Sequence, residues 1–161
     1  MLRIAIVSVC AISIAAMSQT PAVASPWSGT EYKVTELKRT SNQIDANQVL
    51  ASCSGAAGMT CSLTSQYTAS RTVQVDLGAK VSIVTAQLSL GNATVKAYSS
   101  SCSWTLPTSK SQLIGYPLGE QVFYKITKNV YNTGKLTSST TSGTLSAFKP
   151  YKGSLFCARI R

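Results

Sequence analysis

Five cysteines, five acids and no histidine set the chemistry open to this sequence. Without histidine there is no imidazole base for Ser-His-Asp or Cys-His nucleophilic machinery, and the commonest zinc ligand is missing. Glycoside hydrolysis needs two carboxyl groups flanking one bond. The acids are Glu31, Glu36, Asp45, Asp76 and Glu120. Glu31 and Glu36 fall in an expected first strand, Asp76 is expected across from Lys80, and Glu120 sits beside Gly119 at an expected turn, so no pair is set up. Ser146 and Lys149 have the spacing of a Ser-Lys dyad, but Pro150 opposes the helix that would carry them. No phosphate-cradling glycine loop, calcium loop or dinucleotide fingerprint occurs. The sequence reads as a non-enzyme with no catalytic residue, no metal site and no cofactor.

Cysteine spacing carries more. Cys10 lies in an apolar leader, which leaves Cys53, Cys61, Cys102 and Cys157. An even count in an exported chain reads as two disulfides with three possible pairings. The spacing favours Cys53–Cys61, around Gly55 and Gly58, with Cys102–Cys157 as a long staple. Chain entropy assigns roughly 3 kcal/mol to closing the short ring and about 4 kcal/mol to the long one.

Binding chemistry is the remaining signal. Tyr116, Phe123, Tyr124, Lys125, Lys128 and Tyr131 interleave aromatic rings with lysines. Turned outward, Tyr116, Lys125, Lys128 and Tyr131 would form a surface for sugars or phosphate-rich polymers. The competing reading buries the aromatics and puts the lysines on the opposite face, as the alternation Tyr124-Lys125-Ile126 suggests. The formal net charge is +10, or +9 once Arg3 leaves with the leader. Such a chain is drawn to polyanions. The expected partners are an anionic cell-wall polymer, an anionic lipid or a protein, with nucleic acid not expected outside the cell.

The elements that must position these residues follow from patterning. Met1-Leu2-Arg3, an apolar run over 4–17 and Ala22-Val23-Ala24 read as a Sec-type signal peptide cleaved near Ala24, so residues 25–161 form one secreted β-rich domain. The apolar run is shorter than the roughly 20 residues of a membrane anchor. From 60 to 83 the chain alternates apolar and polar residues, which predicts strands with one apolar face. Parity predicts a turn at Gly78 that sets Val75 against Val81 and Val73 against Ile83. A phase slip at Ile83-Val84 predicts a β-bulge, and Gly91-Asn92 a second turn, giving a three-stranded meander over 60–102. Ser41 to Ala51 allows one short helix or turn. Residues 103–119, with Pro107, Gly115 and Pro117, read as a connection. A hairpin follows, with Asn132-Thr133-Gly134 as a three-residue loop setting Val130 against Leu136, and a last strand covers 154–160. The predicted fold is all-β: an antiparallel β-sandwich or small barrel with hairpins, at most one short helix and two disulfides.

Several motifs carry a resemblance. Cys53-Ser54-Gly55 with Gly58 and Cys61, the Ser/Thr-alternating run through Leu77-Gly78, Ser101-Cys102-Ser103, and Tyr116-Pro117-Leu118-Gly119 with Tyr124-Lys125 resemble uncharacterised small secreted proteins of Gram-positive bacteria. The likeness spans most of the mature chain, rests on structural motifs and implies no activity. The Ser/Thr-rich hairpin is also similar in composition to aerolysin-type pore formers, without the large receptor-binding lobe such toxins carry. Three functions remain in play. The leading expectation is a secreted, basic, disulfide-stapled β-domain that binds an anionic cell-surface polymer or a protein partner. The second is a pore-forming or antimicrobial protein, oligomeric in that case only, that inserts hairpins bearing Val73, Val75, Val81 and Ile83. The third is an inhibitor of a secreted enzyme that presents the Cys53–Cys61 loop.

Overall fold

The computed structural model describes residues 27–64, 66–98 and 102–161, so the leader expected over 1–24 lies outside the described residues. In chain order the elements are β1 (Gly29–Ile44), β2 (Ala51–Ser54), β3 (Thr60–Leu63), β4 (Gln66–Ser70), β5 (Thr72–Val73), α1 (Val81–Gln87), β6 (Thr94–Tyr98), β7 (Cys102–Thr105), β8 (Gln112–Asn132), β9 (Lys135–Thr141) and β10 (Leu145–Ile160). Among the described residues the fold is all-β and antiparallel, with one short helix and the two disulfides Cys53–Cys61 and Cys102–Cys157.

The 21-residue β8 is the spine. One of its edges pairs with β2 over 112–115 and then with β1 over 118–131. The other edge pairs with β10 over 112–124 and then with β9 over 127–132. β5 adds a short outer rung on β10. Strands β3 and β7 pair with each other, as do β4 and β6.

Alternation along β8 places Leu113, Gly115, Pro117, Gln121, Phe123 and Lys125 on one face, and Ile114, Tyr116, Leu118, Val122, Tyr124 and Ile126 on the other. These are called the Leu113 face and the Val122 face. The covered face changes along the strand. Leu113, Gly115, Pro117 and Gly119 are buried at one end, joined from the other face by Ile114, and Val122, Tyr124 and Ile126 at the other end. At the Gln112 end the β3–β7 ribbon lies on the Leu113 face, where Leu63, Cys61, Leu106 and Leu113 form one core. At the Asn132 end α1 and its flanks cover the Val122 face, where Val84, Leu88 and Leu90 pack on Val122, Tyr124, Ile126 and Ala147. The segment between passes the sheet edge as β5, with Thr72 opposite Phe148 and Val73 opposite Ala147.

Several expectations are corrected here. The Gly78 hairpin does not form. Leu77 and Gly78 take positive φ in a turn that leads into α1. Val84 and Leu88 are buried four residues apart, a helical spacing, so the phase slip at Ile83-Val84 marks a change of period and not a bulge. Asp76 accepts the Leu77 N–H and does not face Lys80. Val95 and Ala97 pair with Ala69 and Tyr67, not with Leu88 and Ala86 across Gly91-Asn92. The 41–51 segment is strand to Ile44 and then a turn, with the Asp45 carboxylate accepting the Asn47 N–H.

Gly115, Pro117 and Gly119 lie inside β8 instead of in a connection. Pro117 is tolerated because it falls where the partner changes from β2 to β1 and where β10 bulges between Pro150 and Leu155. Gly119 is required by crowding. A Cβ there would lie 2.4 Å from the Lys149 carbonyl oxygen and 2.6 Å from the Phe148 ring. The β8–β9 turn has two residues, not three. Thr133 and Gly134 both have positive φ, which matches strand twist, and Tyr131, not Val130, faces Leu136.

Two outcomes are expected. Gly119→Ala loses at least about 2 kcal/mol of stability, read as a lower urea midpoint at unchanged slope, because the obstacle includes backbone. Tyr124 is buried, donates its hydroxyl hydrogen bond to the Gln74 carbonyl, and burial holds its pKa above the ordinary 10.0. A raised folded pKa gives stability that is complete below about pH 10 and declines as pH rises through the folded value. A series of urea titrations from neutral to alkaline pH checks this decline, which Tyr124→Phe flattens while lowering stability at neutral pH by about 1 kcal/mol.

Candidate functional site

The Leu113 face is open beyond Gly119, because the β3–β7 ribbon covers only the other end. Register fixes what it presents. Phe123 lies between Lys38 of β1 and Ser146 of β10. Lys125 faces Thr35, and Thr127 lies between Lys33 of β1 and Thr141 of β9. Asn129 lies between Glu31 and Ser139. Tyr131 closes the row, in tilted ring contact with Trp27 at a centroid distance of 5.2 Å. From Gln121 to Tyr131 this row runs about 33 Å at the usual strand rise.

Hydroxyls knit the surface across strands. Thr127 Oγ1 lies 3.4 Å from Thr35 Oγ1 and 3.0 Å from Thr141 Oγ1, and the Ser139 hydroxyl donates to Asn129 Oδ1 at 2.7 Å. Phe123 is 38% exposed in the middle of this polar face. Two acids share the face. Glu36, in a β1 bulge, holds Lys125 at 2.7 Å, and Glu31 accepts the Tyr131 hydroxyl at 3.3 Å. Lys33 and Lys38 have no carboxylate partner among the described residues.

At its Gln121 end the face runs into a cleft of about 220 Å³ lined by Asp45, Asn47, Thr72, Gln74, Gln121 and Ser146. Asp45 is buried and held by Gln48, whose side-chain amide donates to its carboxylate at 2.7 Å and whose oxygen accepts the Ser70 N–H at 2.9 Å. Gln74 Oε1 accepts from the Ser146 N–H at 2.8 Å and from its hydroxyl at 3.2 Å. The side-chain amides of Asn47 and Gln121 make no hydrogen bond among the described residues. The cleft thus offers amides, hydroxyls and a single carboxylate, a set suited to hydroxyl-bearing ligands. Among the described residues no group of histidine, cysteine, aspartate or glutamate side chains is placed to hold a metal ion.

The structure divides the four sequence-predicted surface residues. Lys125 and Tyr131 share the open Leu113 face. Lys128 is on the Val122 face, between Tyr32 and Thr140, and Tyr116 is on that face at the far end of β8. The pattern itself held the signal, since 125 and 131 differ by an even number and 128 does not share their parity. Lys33, Lys38, Trp27 and the cleft residues were missed. Bulges at 36–37 and 41–42 shift the phase of β1, so its periodicity does not reveal which lysines join the Phe123 row.

The four residues of the predicted membrane hairpin are not in a hairpin. Val73 sits in β5 and packs on the core, Val75 is in the following loop, and Val81 and Ile83 are on the exposed side of α1. The cysteines pair as their spacing suggests, Cys53 with Cys61 and Cys102 with Cys157. Such disulfides fit an oxidising, extracellular setting. No helix among the described residues is long and apolar enough to cross a membrane. No family model, curated protein or solved structure matches this chain.

Proposed function

We propose that the protein is exported by its 1–24 leader and binds an anionic cell-surface polymer along the open Leu113 face. The carrying observation is the register itself. Lys38 and Lys125 flank the exposed Phe123, Lys33 follows beside Thr127, and a ladder of threonine, serine and asparagine side chains leads to the Trp27–Tyr131 ring contact at the end. Lysines attract phosphate or carboxylate groups as point charges, hydroxyls and amides match polyol hydroxyls, and aromatic rings take the apolar faces of sugar rings. A row of side chains about 33 Å long suits an extended chain better than a compact ligand. The adjoining cleft accepts one polar unit of such a chain, with Gln121 and Asn47 supplying its free amides.

Scarcity of acids supports the same reading. Fifteen basic residues stand against five acids. Four of those acids are engaged on the protein itself: Glu120 by Arg39, Glu36 by Lys125, Glu31 by Tyr131 and Asp45 by Gln48. Long-range attraction therefore brings a polyanion to the molecule, and the Leu113 face gives it a shape to lie on.

Co-sedimentation with isolated anionic wall polymer tests the reading. Binding is expected at low salt, to weaken as salt is raised, and to fall several-fold in Lys33→Gln/Lys38→Gln. Phe123→Ala is expected to lose about five-fold and to keep the salt dependence of the wild type, since the ring contributes contact and not charge. Unchanged binding in both variants sinks the assignment of this face.

A further inference from the structure

The face change at Glu120-Gln121 leaves a second surface open, with the opposite chemistry. At the Gln112 end the Val122 face lies beyond α1, which packs at the Asn132 end, and several large apolar side chains there are exposed. On β8 this surface presents the half-buried Tyr116 and Leu118, beside Ile114, which is buried. Register adds Phe156 opposite Tyr116, Ala158 opposite Ile114 and Ile44 opposite Leu118, with Ile160 at the margin beside Gln112. Ile44, Phe156 and Ile160 are 40%, 43% and 44% exposed. Among the described residues paired with this end of β8, Ser52 and Ser54 of β2 interrupt its apolar character, as does Gln112 of β8 itself. A contiguous apolar sheet face of this kind is an interaction surface and not scattered exposure.

Charge decides what covers it. Lys110 precedes β8, Lys152 lies in the β10 bulge between Pro150 and Leu155, and Arg161 follows Ile160, all three exposed. The sequence holds no acid over 77–119 and none after Glu120. Two copies packed through this surface would bring like charges together, and the nearest acids, Asp45 and Glu120, are already held by Gln48 and Arg39. A soluble polyanion would neutralise the cations and leave the apolar side chains in water. An anionic phospholipid bilayer satisfies both parts, taking Phe156, Ile160 and Ile44 into the boundary between headgroups and acyl chains while the cations meet lipid phosphates.

We infer that this end of the Val122 face docks the protein on an anionic lipid surface, without spanning it. Tyr116 suits the interface, with an apolar ring and a polar tip. Docking uses the face and the end opposite to those that bind polymer, so either reading can stand without the other. A lipid-docked molecule keeps its Lys33–Phe123–Lys125 surface free for the polymer.

Flotation with phosphatidylglycerol/phosphatidylcholine vesicles tests the inference, with pure phosphatidylcholine vesicles as the second arm. The wild type is expected to float with the anionic vesicles and more weakly with the neutral ones. Phe156→Gln/Ile160→Gln is expected to lose more than about tenfold in vesicle affinity, since both side chains leave the lipid phase. Ile44→Gln, on the other side of the patch, is expected to lose binding in the same direction, and thermal melts report whether either variant folds. Lys33→Gln/Lys38→Gln is expected to float as the wild type does, which separates this surface from the polymer face. Wild-type binding by the folded Phe156/Ile160 and Ile44 variants overturns the inference, as does a wild type that ignores anionic vesicles. A dimer in sedimentation velocity that the Phe156/Ile160 variant abolishes, with no vesicle binding, assigns the surface to a second copy instead.

Discussion

Two disulfides hold a short ribbon across the spine of the sheet, and the plan of the molecule depends on that clamp. Cys53 is on β2 opposite Leu113, and Cys157 is on β10 opposite Gly115, so the two half-cystines flank β8 on the same face. Their partners, Cys61 and Cys102, belong to β3 and β7, which pair with each other through Leu63 opposite Cys102 and Cys61 opposite Trp104. A two-stranded ribbon is marginal by itself in water. Tied to both flanking strands it is held down, and Leu63 can close over Gly115, where a Cβ would come within 3.2 Å of its Cδ1.

Covering the Leu113 face at one end forces the rest. Chain leaving β3 runs through β4, rounds the edge of β10 as β5, and delivers α1 to the other face at the other end. There the Gln87 side-chain amide donates to the Tyr32 carbonyl and accepts the Val34 N–H, closing part of the free edge of β1. Arg39 bridges Glu120 to the Leu88 carbonyl and fixes where the helix ends. The result is one long sheet with two half-cores on opposite faces. Each half-core leaves an open face behind it. One is polar with lysines and an exposed ring, and the other is apolar with cations at its margins.

The sequence made some of this legible and hid the rest for identifiable reasons. Cysteine spacing pointed to the right pairs because a ring with a sequence separation of 8 is short enough to be local. Alternation from 60 to 83 correctly marked strand-forming residues near Cys61 and Ala69, but a period of two says nothing about the partner. The partners are distant, β7 for β3 and β6 for β4. Val81, Ile83 and Val84 are poor helix formers, and tertiary packing of Val84 and Leu88 overrides that preference. Gly115 and Gly119 suggested a loop because glycine is common in turns. Here they make room for Leu63 and for the Phe148 ring. The change of covered face at Glu120-Gln121 is hidden in the sequence, because the even positions Ile114, Tyr116, Leu118, Val122, Tyr124 and Ile126 are apolar on both sides of it.

The claim that two chemically distinct faces are open at opposite ends is tested most directly by hydroxyl-radical footprinting of the protein bound to wall polymer and, separately, to anionic vesicles. Polymer is predicted to protect Phe123, Tyr131 and Trp27 and to leave Phe156 and Ile160 reactive. Vesicles are predicted to protect Phe156, Tyr116 and Ile160 and to leave Phe123 and Tyr131 reactive. Protection of the same residues by both ligands, or protection confined to residues outside these two faces, would contradict the account.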